Sequence, residues 1–133
     1  MRKKILPDLT EYEHAMSDVY CGLVVWENKH KDIFGTSCGR ELYYKIAEDH
    51  FSEIAKARSL KHAYYTSQTS ERSMRNTIRR FEALGFLERS QSSTDLRASQ
   101  LIPKEALRKV FKSHARELYR LMNKHFVMVH KTP

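Results

Sequence analysis

Cysteine is scarce in this chain, with only Cys21 and Cys38 among 133 residues. Two thiols with no Cys-x-x-Cys or His-x-x-x-His spacing exclude a disulfide framework and a zinc site, and they point to a reducing compartment. Glycine and proline are nearly as rare, at four and three, so there is no low-complexity or linker tract. No internal repeat occurs either. No run approaches the roughly 18 uncharged apolar residues of a membrane helix. The opening Met1-Arg-Lys-Lys-Ile-Leu-Pro7 also lacks an apolar stretch of signal-peptide length. The expectation is a soluble cytoplasmic protein with no membrane partner. Catalytic signatures are missing as well: no phosphate loop, no nucleophile elbow, no carboxylate pair with a workable geometry. The chain therefore reads as a non-enzyme with no catalytic residue, no cofactor and no metal.

What is abundant is positive charge, and its distribution says more than its total of +8. Residues 1–55 hold seven basic and ten acidic side chains, whereas residues 56–80 hold seven basic side chains and only Glu71. Residues 81–102 are close to neutral, and residues 103–133 carry eight basic side chains against two acidic. Such blocks favour a polyanionic partner. The length suits a single domain, 1–133, able to remove about two thirds of its unfolded surface from water.

The first basic block contains the most informative segment, Ser70-Glu-Arg-Ser-Met-Arg-Asn-Thr-Ile-Arg-Arg-Phe-Glu-Ala-Leu84, closed by Gly85. On a helix Met74, Ile78, Phe81 and Leu84 share one face, and Arg72, Arg75, Asn76 and Arg79 share the opposite one. The first face is expected in the core. The second suits phosphates and base edges, because Arg forks onto guanine and Asn onto adenine in the major groove. Downstream, Phe86–Arg89 and Leu96–Ile102 read as strands around a tip at Ser90–Asp95, with Pro103 opening the last helix. Upstream, Ser59 is expected to cap a short helix, Leu60 to Tyr65, joined through the polar turn Thr66-Ser67-Gln68-Thr69. Together, residues 59–103 read as a winged helix-turn-helix lobe. The fold class is mainly α with a small β-hairpin wing.

Long helices flank this lobe. Leu9, Tyr12, Met16, Val19, Leu23, Trp26 and Ile33 recur at spacings of 3 and 4, with His30 in the gap, and predict one helix over residues 8–34. A second helix begins near Ser37 and carries Leu42, Tyr43, Ile46, Ala47, Phe51, Ile54 and Ala55, its far end left open between residues 48 and 60. In the last helix, 104–129, Leu107, Phe111, Leu118, Leu121 and Met128 form a similar stripe, with His114 and His125 on the seam. Each stripe could pack on the domain's own core. Two at opposite ends of the chain predict instead a dimer layer built from Leu9, Tyr12, Met16, Val19, Leu23, Leu118, Leu121 and Met122.

From Leu60 to Ala106 the sequence resembles the winged-helix domain of the multiple-antibiotic-resistance regulator (MarR) family of bacterial transcription factors. Ser73 to Phe86 follows that family's recognition helix and closing glycine. Asp95-Leu96-Arg97 falls at its wing Asp-x-Arg, and Leu101-Ile102-Pro103-Lys104-Glu105 at its strand-to-helix exit. The long flanking helices match only in position and length. Four arginines on the recognition helix and a wing tip rich in hydroxyls depart from the pattern. The resemblance implies a homodimer with two recognition helices in successive major grooves of a pseudo-palindromic operator.

Other candidates have plainer readings. Cys21 sits among Asp18 and Glu27, the wrong electrostatic setting for a reactive thiolate. His30, His114 and His125 are expected to be partly buried interface histidines rather than metal ligands. Tyr12, Tyr20, Trp26, Tyr43 and Tyr44 fit a core better than a ligand pocket, so a small-molecule effector is possible but not evident. The sequence thus predicts a double-stranded DNA-binding transcriptional regulator, a homodimeric repressor. Ser70, Arg72, Ser73, Arg75, Asn76 and Arg79 lie on its reading helix; Lys61 and Arg80 would hold phosphates, and Arg97, oriented by Asp95, would enter the minor groove. The alternative is a winged-helix protein-interaction module of a replication, plasmid or phage assembly, without sequence readout.

Overall fold

The computed structural model describes residues 9–52, 58–59, 67–90 and 100–126. The elements in chain order are α1 (Leu9–Asn28), α2 (Lys31–Phe34), α3 (Ser37–Phe51), β1 (Arg58–Ser59), α4 (Glu71–Ala83), β2 (Leu87–Arg89), β3 (Gln100–Pro103) and α5 (Glu105–Asn123). The chain is mainly helical with one small antiparallel hairpin, β2 against β3, as the sequence predicts.

The helix expected over residues 8–34 is two helices. Lys29 and His30 donate backward to Trp26 and Glu27 carbonyls at 3.0 and 2.9 Å, a tightened last turn, and His30 leaves helical geometry at φ −119°, ψ 55°. The bend is useful because Ile33 thereby turns into the central core, where it is almost wholly buried. A straight helix would have kept it on the seam with α5. Phe34, one residue on, meets Trp26 and Tyr43 edge to face, with centroids 5.5 and 4.8 Å away.

Helix α3 opens with Thr36 as cap, its Oγ1 accepting the Gly39 N–H at 3.0 Å. It ends at Phe51, where Ser52 turns extended. Phe51 is 68% exposed, not a core residue. Residues 53–57, with the expected core positions Ile54 and Ala55, lie outside the described residues. Strand β1 was not expected: two residues have no alternation to read. It pairs Arg58 with Leu101 and Ser59 with Gln100, so the sheet has three antiparallel strands in the order β1-β3-β2. Pro103 sits opposite Leu87 as the last residue of β3, a place where its missing N–H removes no interior ladder bond. The last helix, expected over 104–129, ends at Asn123 with Lys124 as its cap; the short helix over 60–65, the wing tip after Ser90, the first part of the second wing strand, and Met128 fall outside the described residues.

The core gathers Ile33, Leu42, Tyr43, Ile46, Met74, Ile78, Phe81, Leu87, Leu101, Leu107 and Phe111. Burial of each large apolar side chain stabilises the fold by about 1.5–3 kcal/mol. Outside this core α1 packs on α5. Gly22 lets the helices approach: a Cβ there would stand 2.5 Å from Leu121 Cδ2. Ala15 and Trp26 are the buried side chains of α1, and Trp26 Nε1 donates to Ser113 Oγ at 3.1 Å. Tyr12 stacks on Phe126, and His125 Nε2 meets Asp18 Oδ2 at 2.7 Å.

Candidate nucleic-acid interface

Helix α4 is built from both ends. At its start Ser70 Oγ accepts the Ser73 N–H at 3.1 Å and donates to Ser73 Oγ at 2.9 Å, so these two predicted contact residues already serve as the helix cap. At its end Gly85 takes φ +78°, while the Gly85 N–H reaches the Glu82 carbonyl at 3.0 Å and the Phe86 N–H the Phe81 carbonyl at 2.9 Å. This is a Schellman stop, and its usual apolar contact is present as Phe86 edge-on to Phe81. Any side chain at position 85 would strain that φ.

Between these ends the two faces separate cleanly. Met74, Ile78 and Phe81 are fully buried, and Thr77 is buried with its Oγ1 donating to the Ser73 carbonyl at 2.8 Å. Leu84, expected on the same core face, is 42% exposed. It is the cap residue, already past the last helical turn, so it does not follow the stripe. On the other side Arg72, Arg75, Asn76 and Arg79 are all exposed. Arg75 Nη2 donates to Glu71 Oε1 at 2.9 Å, a surface pair one turn apart. Such a pair is worth about 0–1 kcal/mol and yields readily to a stronger anion. Among the described residues nothing pairs with the side chains of Arg72 and Arg79.

Arg80 differs from the other three arginines. Its Nε and Nη2 are buried without hydrogen-bond partners among the described residues, close to the Gly39 position on α3 and beside the Phe81 ring. It belongs to the contact between α4 and α3 rather than to the exposed face. Gly39 permits that contact: a Cβ there would stand 3.1 Å from Arg80 Nη2, besides coming within 2.2 Å of the Ile33 carbonyl on α2. Lys61, Asp95 and Arg97 lie outside the described residues.

The turn leading into α4 is held by a residue that the sequence reading passed over. Glu41 on α3 accepts from the Gln68 N–H at 2.8 Å through Oε1 and from Ser67 Oγ at 3.0 Å through Oε2. Lys45 Nζ is 3.3 Å from the same carboxylate. Burial alone would raise the Glu41 pKa, but these three donors outweigh it and hold the group below its ordinary value. At the other end of α4, Arg89 clasps Glu82 through Nε and Nη2 at 2.8 and 2.7 Å, tying β2 to the helix. Lys104 N–H to the Phe86 carbonyl at 2.8 Å then joins β3 to the same corner.

The predicted dimer residues divide. Leu9 and Tyr12 are exposed, as is Met16 at 69%, and they adjoin exposed Tyr20 on one side of α1. Val19, Leu23 and Met122 are half-buried. Leu121 is buried within the chain, whereas Leu118 is exposed. The three seam histidines have partners of their own. His114 stacks on Trp26 at 4.3 Å and meets Tyr43 Oη through Nδ1 at 2.8 Å; His30 lies 4.4 Å from Trp26; His125 is with Asp18. Burial lowers the pKa of His114 and of His30, and Lys29 lowers that of His30 further. Tyr44, its hydroxyl donating to Glu27 Oε1 at 3.0 Å, is pushed up to about 12, chiefly by burial. Trp26 and Tyr43 are buried, whereas Tyr44 lines an open groove with Arg40, Glu41, Lys45 and Thr69. No group of residues fit to hold a metal ion occurs among the described residues.

No helix among the described residues is long and apolar enough to cross a membrane. In comparisons with known proteins, no family model, no curated protein and no solved structure matches the chain.

Proposed function

We propose that the protein is a sequence-specific double-stranded DNA-binding regulator of transcription, a homodimeric repressor of the winged-helix type that acts inside the cell. One observation carries this reading: α4 is capped at both ends, fixed by a buried apolar face, and presents Arg72, Arg75, Asn76 and Arg79 together on its exposed face. A helix of 13 residues is about 20 Å long and fits a major groove about 12 Å wide. Arg and Asn are the side chains whose forked donors and acceptors match guanine and adenine edges there. The sequence order α3, β1, α4, β2, β3 and the sheet order β1-β3-β2 support a winged helix, with the hairpin beside the reading helix.

The dimer reading rests on the other half of the molecule. Leu9, Tyr12, Met16 and Tyr20 leave α1 with an exposed apolar strip. The same helix carries Glu11, Glu13, Asp18 and Glu27 with no Lys or Arg, while α5 carries Arg108, Lys109, Lys112, Arg116 and Arg120 against two glutamates. A two-fold partner can set acidic α1 against basic α5 at the rim while covering the strip.

Titration of the purified protein with a selected duplex and with random duplex at several salt concentrations tests the function. The expected result is a preference of 10³-fold or more, of the order seen for specific regulators. Equal affinity for both duplexes, with the same salt slope, would support the interaction-module reading instead.

A further inference from the structure

The contacts of Glu41 are the least expected feature of the interface. Its carboxylate lies on α3, yet the groups it binds sit in the three residues immediately before the Ser70 cap of α4. A consistent donor scheme accounts for each hydroxyl. Cys38 Sγ–H points to Thr69 Oγ1 at 3.4 Å, Thr69 O–H is shared between Ser67 Oγ at 2.7 Å and, more distantly, Glu41 Oε2 at 3.5 Å, and Ser67 O–H goes to Glu41 Oε2 at 3.0 Å. The Thr69 N–H also donates to Ser67 Oγ at 3.0 Å, and the Gln68 N–H to Glu41 Oε1 at 2.8 Å. The chain of bonds therefore ends on one carboxylate, and hydrogen bonds to a charged acceptor are the strong ones.

We propose that Glu41 is a positioning residue for recognition: it locks the turn Ser67–Thr69 to α3 and so fixes the direction in which the first two turns of α4 present Arg72 and Asn76. The proposal deepens the DNA-binding reading and rests on it. In major-groove readers the first turns of the helix meet the bases, so tilting this end displaces the side chains that matter most. Ile78 and Phe81 hold the body of α4 by packing, and at its start Met74 and the turn share that task. Charge alone makes the opposite forecast. A carboxylate near the reading helix repels phosphate, and its removal should tighten binding to every duplex.

The test compares wild type, Glu41→Ala and Glu41→Gln. Hydrogen exchange of the amides of residues 67–73, measured without DNA, reads the lock itself. Binding to the selected duplex and to random duplex reads its consequence. Glu41→Ala should raise exchange of the Gln68 and Thr69 amides about tenfold and lower the selected-duplex affinity about tenfold, the scale of one charge-assisted bond. Random-duplex affinity should be unchanged or higher. Glu41→Gln, which keeps an acceptor for the Gln68 N–H, should recover part of both losses. Wild-type exchange rates in Glu41→Ala would overturn the lock whatever the protein binds. Raised exchange with selected and random duplexes affected in equal proportion would overturn its role in recognition. If wild type selects no sequence, the regulator reading fails and recognition with it, and the exchange data still decide the lock.

Discussion

Helices α1 and α4 are both amphipathic, but they use their faces in opposite ways. α4 buries Met74, Ile78 and Phe81 completely and turns arginine outward; α1 buries Ala15 and Trp26, lays Gly22 on Leu121, and leaves Leu9, Tyr12 and Met16 outside. Helix α4 is finished within the chain and offers charge. Helix α1 is held against α5 through Ala15, Gly22 and Trp26 and offers apolar surface. The difference teaches that apolar spacing does not by itself tell which face a helix buries. In α1 the side that packs carries Ala15, Gly22 and Trp26, and Leu9, Tyr12 and Met16 stand beside it.

The largest way to break the comparison is through the core of α4. Phe81→Ala should cost about 3–5 kcal/mol of stability in denaturant unfolding, because a fully buried ring leaves a cavity. Leu84→Ala, at the exposed cap, should stay within about 1 kcal/mol. On the outward face, Arg72→Ala and Arg79→Ala should leave unfolding unchanged and weaken selected-duplex binding by about 1–3 kcal/mol each. Arg80→Ala should behave differently from both. Its buried guanidinium predicts an altered melting temperature, whereas a phosphate contact would appear as a salt slope shallower by about one unit.

For α1 the forecast reverses. Met16→Asp should not lower monomer stability, since the side chain is solvent-exposed, but should weaken self-association by about 1–3 kcal/mol through a desolvated charge in the strip. Sedimentation at micromolar concentration reads this directly. Wild type sedimenting as a monomer would remove the dimer from the account.

The junction between the two regions gives the smallest effect. His114 and His30 have folded pKa values below 6.5, so the unfolded chain binds protons first as the pH falls. Their neutral forms support the fold fully above about pH 6.5, and stability declines below it, by at most roughly 1.4 kcal/mol per pH unit for each group. Carboxylates with lowered values, Asp18, Glu41, Glu105 and Glu117, add their loss only at more acid pH. His114→Gln should flatten the unfolding profile just below pH 6.5, and an unchanged profile would show that His114 does not contribute to it.

Much of this arrangement was legible from residue order. The α4 stripe apart from Leu84, its Gly85 stop, the hairpin and the presence of long flanking helices follow from local spacing and turn chemistry. What escaped was set by contacts distant in sequence. The break at Lys29–His30 reflects the demand of the core for Ile33, and no glycine or proline marks it. Strand β1 exists only because β3 lies beside it. Glu41 reads as one more charge on a helix, since its partners are 26–28 residues away. Arg80 looked like a fourth surface arginine because helical angle alone does not show that α3 approaches there through Gly39.

The central claim is that α4 reads bases, and binding-site selection from random duplexes with wild type and with Asn76→Ala tests it most directly. The account predicts that wild type enriches one motif with two related half-sites about one helical turn apart. Asn76→Ala should keep that motif but lose the preference at one base pair in each half. Identical motifs from both proteins, or no motif from either despite salt-dependent binding, would contradict it.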